Sequence, residues 1–167
     1  METRQRLQGF DSIDVTPDGQ VTKRILSVGD KDYLDADGNT LPPVGSSVEV
    51  HYTGKFANNR VVFDSSVQRN QPFIFELGAR QVILGWDKVV ATMRRGEKAE
   101  VKIAPDYAYG NTGVGPIPPG ATLLFEIELL GWRLQREVLK DSIIRADMIS
   151  GLVLMFIAIC AALYLIM

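Results

Sequence analysis

Residues 81–93 read QVILGWDKVVATM, and this stretch decides the fold class because its apolar residues recur at helical spacing rather than in strict alternation. The apolar residues at this spacing are Trp86, Val89, Val90 and Met93. An Arg-Arg-Gly sequence that ends at Gly96 follows, and basic residues followed by a glycine are typical of a helix end. The sequence therefore predicts one short helix over residues 81–93, closed by Gly96.

On both sides of this predicted helix, apolar and polar residues alternate, which is typical of half-buried β-strands. The segments with this alternation are residues 47–53, 73–77, 99–103 and 123–129. In residues 47–53, the side chains of Val48, Val50 and Tyr52 share one face of the predicted strand. Residues 20–26 are a further strand candidate. The sequence therefore predicts an α+β fold in which a largely antiparallel sheet is covered on one face by a single short helix.

The composition excludes several classes of protein. The 167-residue chain has 18 Lys and Arg against 20 Asp and Glu, a formal net charge of −2, so no broad basic surface for nucleic acid is expected. One cysteine excludes a disulfide framework and a Cys-rich zinc site, and we expect neither a metal nor a cofactor. The one histidine, His51, falls on the outward face of the strand that holds Tyr52, which leaves a Ser-His-Asp triad without support. Residues 35–39 (DADGN) predict a turn, because an EF-hand calcium loop needs its glycine two positions later.

The C-terminal sequence differs sharply from the rest. Residues 149–167 (ISGLVLMFIAICAALYLIM) contain no charged side chain, and as a helix they would be about 28 Å long, close to the thickness of a bilayer core. A buried core helix is the alternative, but this one would be apolar on every face. We therefore expect one C-terminal transmembrane helix through the lipid bilayer. Basic residues lie only on its N-terminal side, which predicts that the preceding domain faces the cytosol-like side.

The stretch between the domain and the predicted span contains no proline, and its apolar residues fall near helical spacing. We therefore predict a semi-rigid helical connector that keeps the domain near the membrane. The predicted divisions are residues 1–20 as an N-terminal extension, 21–131 as the folded domain, 132–148 as the connector and 149–167 as a tail anchor. Either the endoplasmic reticulum or a mitochondrial membrane fits such an anchor, and the absence of basic residues after the span favours the former.

Seven short strings, in this order and spacing, resemble the FK506-binding-protein (FKBP) type of peptidyl-prolyl cis-trans isomerase. The strings are His51-Tyr52-Thr53-Gly54, Phe63-Asp64-Ser65-Ser66, Pro72-Phe73-Ile74-Phe75, Val82-Ile83-Leu84-Gly85-Trp86, Pro105-Asp106-Tyr107-Ala108-Tyr109-Gly110, Ile117-Pro118-Pro119 and Ala121-Thr122-Leu123-Leu124-Phe125. The resemblance covers roughly residues 21–130. It implies a twisted antiparallel β-sheet wrapped around one short α-helix.

The resemblance also implies a pocket for proline-containing peptides and for macrolide inhibitors of the FK506 type. Its predicted residues are Tyr52, Phe63, Asp64, Arg69, Phe73, Val82, Ile83, Trp86, Tyr109, Ile117 and Phe125. Trp86 is the implied floor, and the implied catalytic residues are Asp64, Tyr109, Ile83 and Phe63. The resemblance implies that the Ile83 N–H and the Tyr109 hydroxyl bind substrate carbonyls and that Asp64 faces the twisting amide. A carboxylate beside aromatic rings needs a partner, and Tyr52 and Arg69 are the candidates. From the residues alone, Asp64 could instead be a structural acceptor and the aromatic residues ordinary core.

These features together predict a membrane-anchored prolyl isomerase that assists the folding or switching of membrane-associated clients. The alternative is a non-catalytic FKBP-like binding module, or a structural accessory subunit of a membrane protein complex. Two loops depart from the family pattern: the hairpin at Asn58-Asn59 is longer by one residue, and residues 111–120 are shorter by one. Both loops border the predicted pocket, so we expect them to change substrate preference rather than chemistry.

Overall fold

The computed structural model describes residues 12–143 and residue 145. The chain divides into two units, one up to Trp132 and one from Arg133. The strands of the first unit are β1 (Ile13–Asp14), β2 (Val21–Ser27), β3 (Ser47–Phe56), β4 (Val62–Ser65), β5 (Phe73–Glu76), β6 (Lys98–Ile103) and β7 (Leu123–Arg133). Its helices are α1 (Leu84–Val90) and a short 3₁₀ helix (Pro105–Tyr107).

The seven strands form one sheet in the order β1-β2-β6-β7-β3-β4, with β5 paired to β3. The pairings β1–β2, β2–β6, β6–β7, β3–β4 and β3–β5 are antiparallel. The predicted combination of an antiparallel sheet and one short helix is therefore confirmed.

The hydrophobic core lies between the sheet and α1. The predicted alternation holds, because Val48 and Val50 of β3 are fully buried whereas Glu49 between them is exposed. The helix contributes Val89 and Val90 to the same core, and full burial of a side chain of this size stabilises a protein by about 1.5–3 kcal/mol. Close packing of α1 on the sheet requires Gly85, because a Cβ there would lie 2.7 Å from Cγ2 of Ile103.

The helix is shorter than predicted at both ends. Residue Ile83 is extended, with φ −60° and ψ 147°, so the helix begins at Leu84 and not near residue 81. After Val90 the chain leaves the helix through a turn in which the Met93 N–H bonds to the Val90 carbonyl at 3.0 Å. Gly96, with φ +75°, therefore belongs to the turn before β6, and its predicted role as the helix cap is wrong. Met93 is fully buried although it lies outside the helix, which explains why helical spacing included it.

The first strand lies within the predicted N-terminal extension. β1 pairs with β2, and Thr16 in the turn between them is 3% exposed. Residues 13 and 14 are therefore part of the sheet and residues 15–20 form the turn that joins them to β2, whereas residues 1–11 lie outside the described part of the chain. At the C-terminal end of the domain, β7 continues to Arg133, beyond the predicted end near residue 130.

The second unit is described up to residue 143 and at residue 145. A helix occupies residues 135–143, and residue 145 is also helical, where the sequence predicts the connector. The Leu134 N–H donates to the Glu137 carboxylate at 3.1 Å, which satisfies one of the free N–H groups at the helix start. Among residues 12–143 and 145, no helix has the length and apolar character needed to cross a bilayer. The predicted span, residues 149–167, lies outside the described residues and stays a prediction.

Candidate active site

A cavity of about 160 Å³ opens beside the start of α1. Its lining residues are Tyr52, Phe63, Asp64, Phe73, Gln81, Val82, Ile83, Trp86, Tyr109 and Phe125. The structure thus brings together residues from β3, β4, β5, β7, the helix α1 with the segment that leads into it, and the loop after β6. Every lining residue except Gln81 belongs to the predicted set.

Edge-to-face aromatic contacts surround Trp86, which is 5% exposed. Its ring centroid lies 4.9 Å from Tyr52 at 80° and 5.3 Å from Phe125 at 87°. The ring of Phe63 in turn packs edge-to-face on that of Phe125, with a centroid distance of 5.7 Å and an interplanar angle of 90°. Such arrangements each contribute about 0.5–1.5 kcal/mol beyond area burial, so they stabilise the apolar wall. Gly54 makes this packing possible, because a Cβ there would lie 2.6 Å from the ring of Phe63.

Asp64 is fixed at the edge of this apolar wall by two partners. The register of β3 and β4 places Asp64 opposite Gly54, so the Tyr52 side chain, two residues along β3, can reach it. The Tyr52 hydroxyl and the Arg69 guanidinium both donate hydrogen bonds to the Asp64 carboxylate. Arg69 Nη2 also donates to the Tyr52 hydroxyl at 3.2 Å, which closes a three-membered network. The predicted partners of Asp64 are therefore confirmed.

The electrostatics of this network keep Asp64 ionised and the tyrosines protonated. Desolvation raises the pKa of Asp64, but the hydrogen bonds from Tyr52 and Arg69 outweigh it, so the pKa is lowered overall. Burial, and then the hydrogen bond to Asp64, raise the pKa of the Tyr52 hydroxyl. Burial, and then the nearby charge of Asp64, raise the pKa of the Tyr109 hydroxyl. At neutral pH the pocket therefore holds the Asp64 carboxylate and two neutral hydroxyls, that of Tyr52, which donates to Asp64, and that of Tyr109.

Several hydrogen-bond donors of the pocket have no acceptor among residues 12–143 and 145, and they include the Ile83 N–H, the Tyr109 hydroxyl and the buried indole N–H of Trp86. Ile83 precedes α1 in an extended conformation, and its N–H is outside the hydrogen bonds of the helix. Tyr109 follows the 3₁₀ helix, where a 2.8 Å bond from the Gly110 N–H to the Pro105 carbonyl fixes the chain. Since both residues line the cavity, an entering peptide could satisfy both donors with its own carbonyl oxygens.

His51 does not contribute to the cavity. Its Nδ1 lies 3.1 Å from the Ser66 hydroxyl, which also accepts the Tyr52 N–H at 2.8 Å. Ser66 is fully buried, so a substrate cannot reach its hydroxyl, and the His-Ser pair does not act as a nucleophile. Within the described part of the chain, no group of three His, Cys, Asp or Glu side chains is arranged to hold a metal ion.

Three residues distinguish the cavity lining from the predicted set, because Gln81 is added and Arg69 and Ile117 are absent. Arg69 is nevertheless held next to the lining by its hydrogen bonds to Asp64 and Tyr52. Gln81 lines the cavity, and its side-chain oxygen accepts the Glu76 N–H at 3.0 Å. A single glutamine has no sequence pattern of its own, so only its position before Val82 could have indicated it. Ile117, in contrast, is a predicted pocket residue that joins the hydrophobic core with 7% exposure and is absent from the cavity lining.

Comparisons with known proteins agree with this geometry. The family described as FKBP-type peptidyl-prolyl cis-trans isomerase matches residues 38–130, which include all the predicted pocket residues. The chain is 53% identical over 100 residues to FK506-binding protein 1 of Dictyostelium discoideum, covering 59% of this chain and 92% of that protein. It is 46% identical over 124 residues to FK506-binding protein 59 of Drosophila melanogaster, covering 74% of this chain but only 26% of that protein.

Among solved structures, the N-terminal domain of FKBP42 from Arabidopsis thaliana is similar, with a TM-score of 0.65 and 27% sequence identity. The match covers 74% of this chain and 92% of that domain. The match to the family spans more than half of the chain, and it includes strands β3 to β6, the helix α1 and every residue that lines the aromatic cavity. The chain therefore belongs to the FKBP-type peptidyl-prolyl cis-trans isomerase family.

Proposed function

We propose that the cavity catalyses rotation about X–Pro bonds without a covalent intermediate. The observation that carries this proposal is an apolar aromatic cavity that holds one ionised carboxylate, together with the Ile83 N–H and the Tyr109 hydroxyl, which have no acceptor among the described residues. Rotation about an X–Pro bond has a barrier of about 18–20 kcal/mol, which arises from amide resonance. A catalyst needs only to bind the twisted amide more tightly than the planar one.

The apolar wall favours the twisted amide for an electrostatic reason. Resonance makes the planar amide polar, and water stabilises that polarity. The twisted amide has lost it, so transfer into a cavity built on Trp86, Phe73 and Phe125 costs the twisted form less free energy. A barrier lower by about 7 kcal/mol would accelerate rotation roughly 10⁵-fold.

The polar groups then orient the peptide. In this proposal the Ile83 N–H and the Tyr109 hydroxyl bind substrate carbonyls, and the Asp64 carboxylate faces the twisting amide. Phe63 forms the wall against which the proline ring packs. The fixed network of Asp64, Tyr52 and Arg69 supports these roles, because a group held before the substrate arrives costs little free energy to organise.

We also propose that macrolides of the FK506 type occupy this cavity. The relatives from Dictyostelium and Drosophila carry the name FK506-binding protein, and this chain retains the aromatic lining of the cavity. Such a ligand would compete with the peptide, so inhibition should be lost together with catalysis when the cavity is altered.

The proposed setting is a membrane surface, to which residues 149–167 would anchor the domain on the cytosol-like side. This proposal is supported by the 19 uncharged residues of that segment and by the basic residues that precede it. Its clients would then be membrane proteins of the endoplasmic reticulum or of a mitochondrial membrane. Protease treatment of intact organelles should digest the domain and leave a short membrane-bound C-terminal fragment. A domain protected from the protease would contradict this topology.

The catalytic proposal is tested by measuring cis–trans isomerisation of an X–Pro peptide with the full-length chain in detergent. We expect acceleration that FK506 abolishes. A folded protein that binds FK506 but leaves the rate at background would instead establish the binding-module alternative.

A further inference from the structure

A side-chain contact connects the turn between β1 and β2 to the segment that carries Tyr109. The Tyr107 hydroxyl donates to Asp18 Oδ2 at 3.0 Å, across 89 positions of sequence. Asp18 lies outside the cavity lining and outside the matched family region, which begins at residue 38. The contact is thus separate from the catalytic groups described above.

Asp18 is itself held in place. Its Oδ1 accepts the Thr16 hydroxyl at 2.6 Å and the Gln20 N–H at 3.1 Å. Thr16 is buried, and its hydroxyl oxygen accepts the Val21 N–H at 3.1 Å at the start of β2. The carboxylate is therefore attached to the sheet and leaves its second oxygen for Tyr107.

On the opposite side of the contact, the 3₁₀ helix is attached to the same turn at two points. The Ala104 N–H bonds to the Gln20 carbonyl at 2.9 Å just before this helix, and Tyr107 ends it. Tyr109, whose hydroxyl lines the cavity, follows two residues later. Since only Ala108 separates Tyr107 from Tyr109, we expect the position of Tyr107 to influence that of Tyr109.

We propose that Asp18 is a positioning residue for prolyl isomerisation, which acts through Tyr107 to fix the Tyr109 hydroxyl against the substrate. The inference rests on the role proposed for Tyr109. It assigns to the N-terminal turn a part in catalysis in addition to its part in the fold. The Tyr107 contact is exposed, so its effect should be moderate.

The test measures kcat/KM of the full-length chain in a set of variants. We expect Asp18→Ala and Tyr107→Phe each to lower kcat/KM about two- to fivefold, the range of an exposed polar contact. The double variant should be no worse than either single variant, because both remove one contact. Asp18→Asn should restore most of the activity, since its amide has the same shape and can still bond to Tyr107. Asp14→Ala, an exposed carboxylate of β1, is the matched control and should leave kcat/KM unchanged.

The decisive comparison uses the Tyr109→Phe background. There Asp18→Ala should cause no further loss, because the hydroxyl that it positions is absent. An equal loss in both backgrounds would overturn the inference, and so would a lowered melting temperature with unchanged kcat/KM. If Tyr109→Phe lowers activity but Asp18→Ala does not, the inference fails and the role of Tyr109 stands. If Tyr109→Phe leaves kcat/KM unchanged, both the inference about Asp18 and the proposed role of Tyr109 fail.

Discussion

Asp64 shows how single residues of the cavity combine opposite physical requirements. A carboxylate beside aromatic rings is disfavoured by desolvation, and here the donors Tyr52 and Arg69 offset that penalty. The result is a fixed negative charge next to an apolar surface. Because Tyr52 both lines the cavity and donates to Asp64, the wall and the charge cannot move independently.

Truncation of the wall should lower activity more than loss of a single hydrogen bond. Phe63→Ala removes a ring that packs on Phe125 and opens the cavity, so we expect at least a tenfold lower kcat/KM, about 1.4 kcal/mol. Tyr109→Phe removes only one donor and should cost about 0.5–1.5 kcal/mol. Isomerase assays compare the two variants.

The control for both is Ile74→Ala, which truncates a 60% exposed residue of β5 next to Phe73 and should leave kcat/KM unchanged. Melting temperatures are measured for all three variants. If Phe63→Ala and Tyr109→Phe lose activity only in proportion to lost stability, the two residues are core and their assigned roles are wrong.

At the scale of elements, the approach of α1 to the sheet depends on the absence of a side chain at Gly85. Gly85→Ala would place a methyl group 2.7 Å from Ile103 Cγ2 and 2.8 Å from Ile103 Cδ1. Forced overpacking of this kind costs about 1–3 kcal/mol, which exceeds the gain in helix propensity from alanine. Urea unfolding should therefore show a lower free energy of unfolding.

Gly131→Ala is the matched control, since the nearest atom to an added Cβ there is Arg95 Nε at 3.7 Å, an ordinary contact. We expect a change of less than about 0.5 kcal/mol for this surface substitution. Equal destabilisation by both variants would show that tight packing of α1 against β6 is not the cause.

The turn at residues 35–39 should make the fold sensitive to acid. Desolvation raises the pKa of Asp35, but hydrogen bonds from Trp132 and Asn39 lower it to about 2 overall. The unfolded chain binds this proton more readily, so the ionised carboxylate stabilises the fold fully above pH ~4, and this contribution is lost as pH falls toward about 2. Asp35→Asn should therefore weaken the pH dependence of unfolding between pH 4 and 2. An unchanged pH profile would contradict the assigned contacts.

The sequence predicts these elements to different degrees for identifiable reasons. The strict alternation of apolar and polar residues in β3 predicts which face of the strand is buried. The short family-like strings that contain Tyr52 and Trp86 predict most of the residues that line the cavity. The ends of α1 could not be predicted, because Met93 is buried by a turn that preserves helical spacing. Gln81 could not be predicted either, since one polar residue beside a motif has no periodicity. The link from Asp18 to Tyr107 is a tertiary contact that no local pattern encodes.

At the scale of the whole molecule, one folded unit carries every described cavity residue, and a second unit begins at Arg133. The catalytic proposal depends only on the first unit. The membrane proposal depends on residues 149–167, and its failure would leave the catalytic proposal unaffected. Removal of residues 149–167 should therefore release the protein from membranes in a fractionation experiment and leave kcat/KM for a soluble peptide unchanged.

The most direct measurement of the central claim is the rate of cis–trans isomerisation of an X–Pro peptide, which takes about 10–100 s without a catalyst. The full-length chain should accelerate it, FK506 should abolish the acceleration at one equivalent, and Asp64→Ala should reduce it while the circular dichroism spectrum stays native. Background rates from a natively folded wild-type chain would contradict the account.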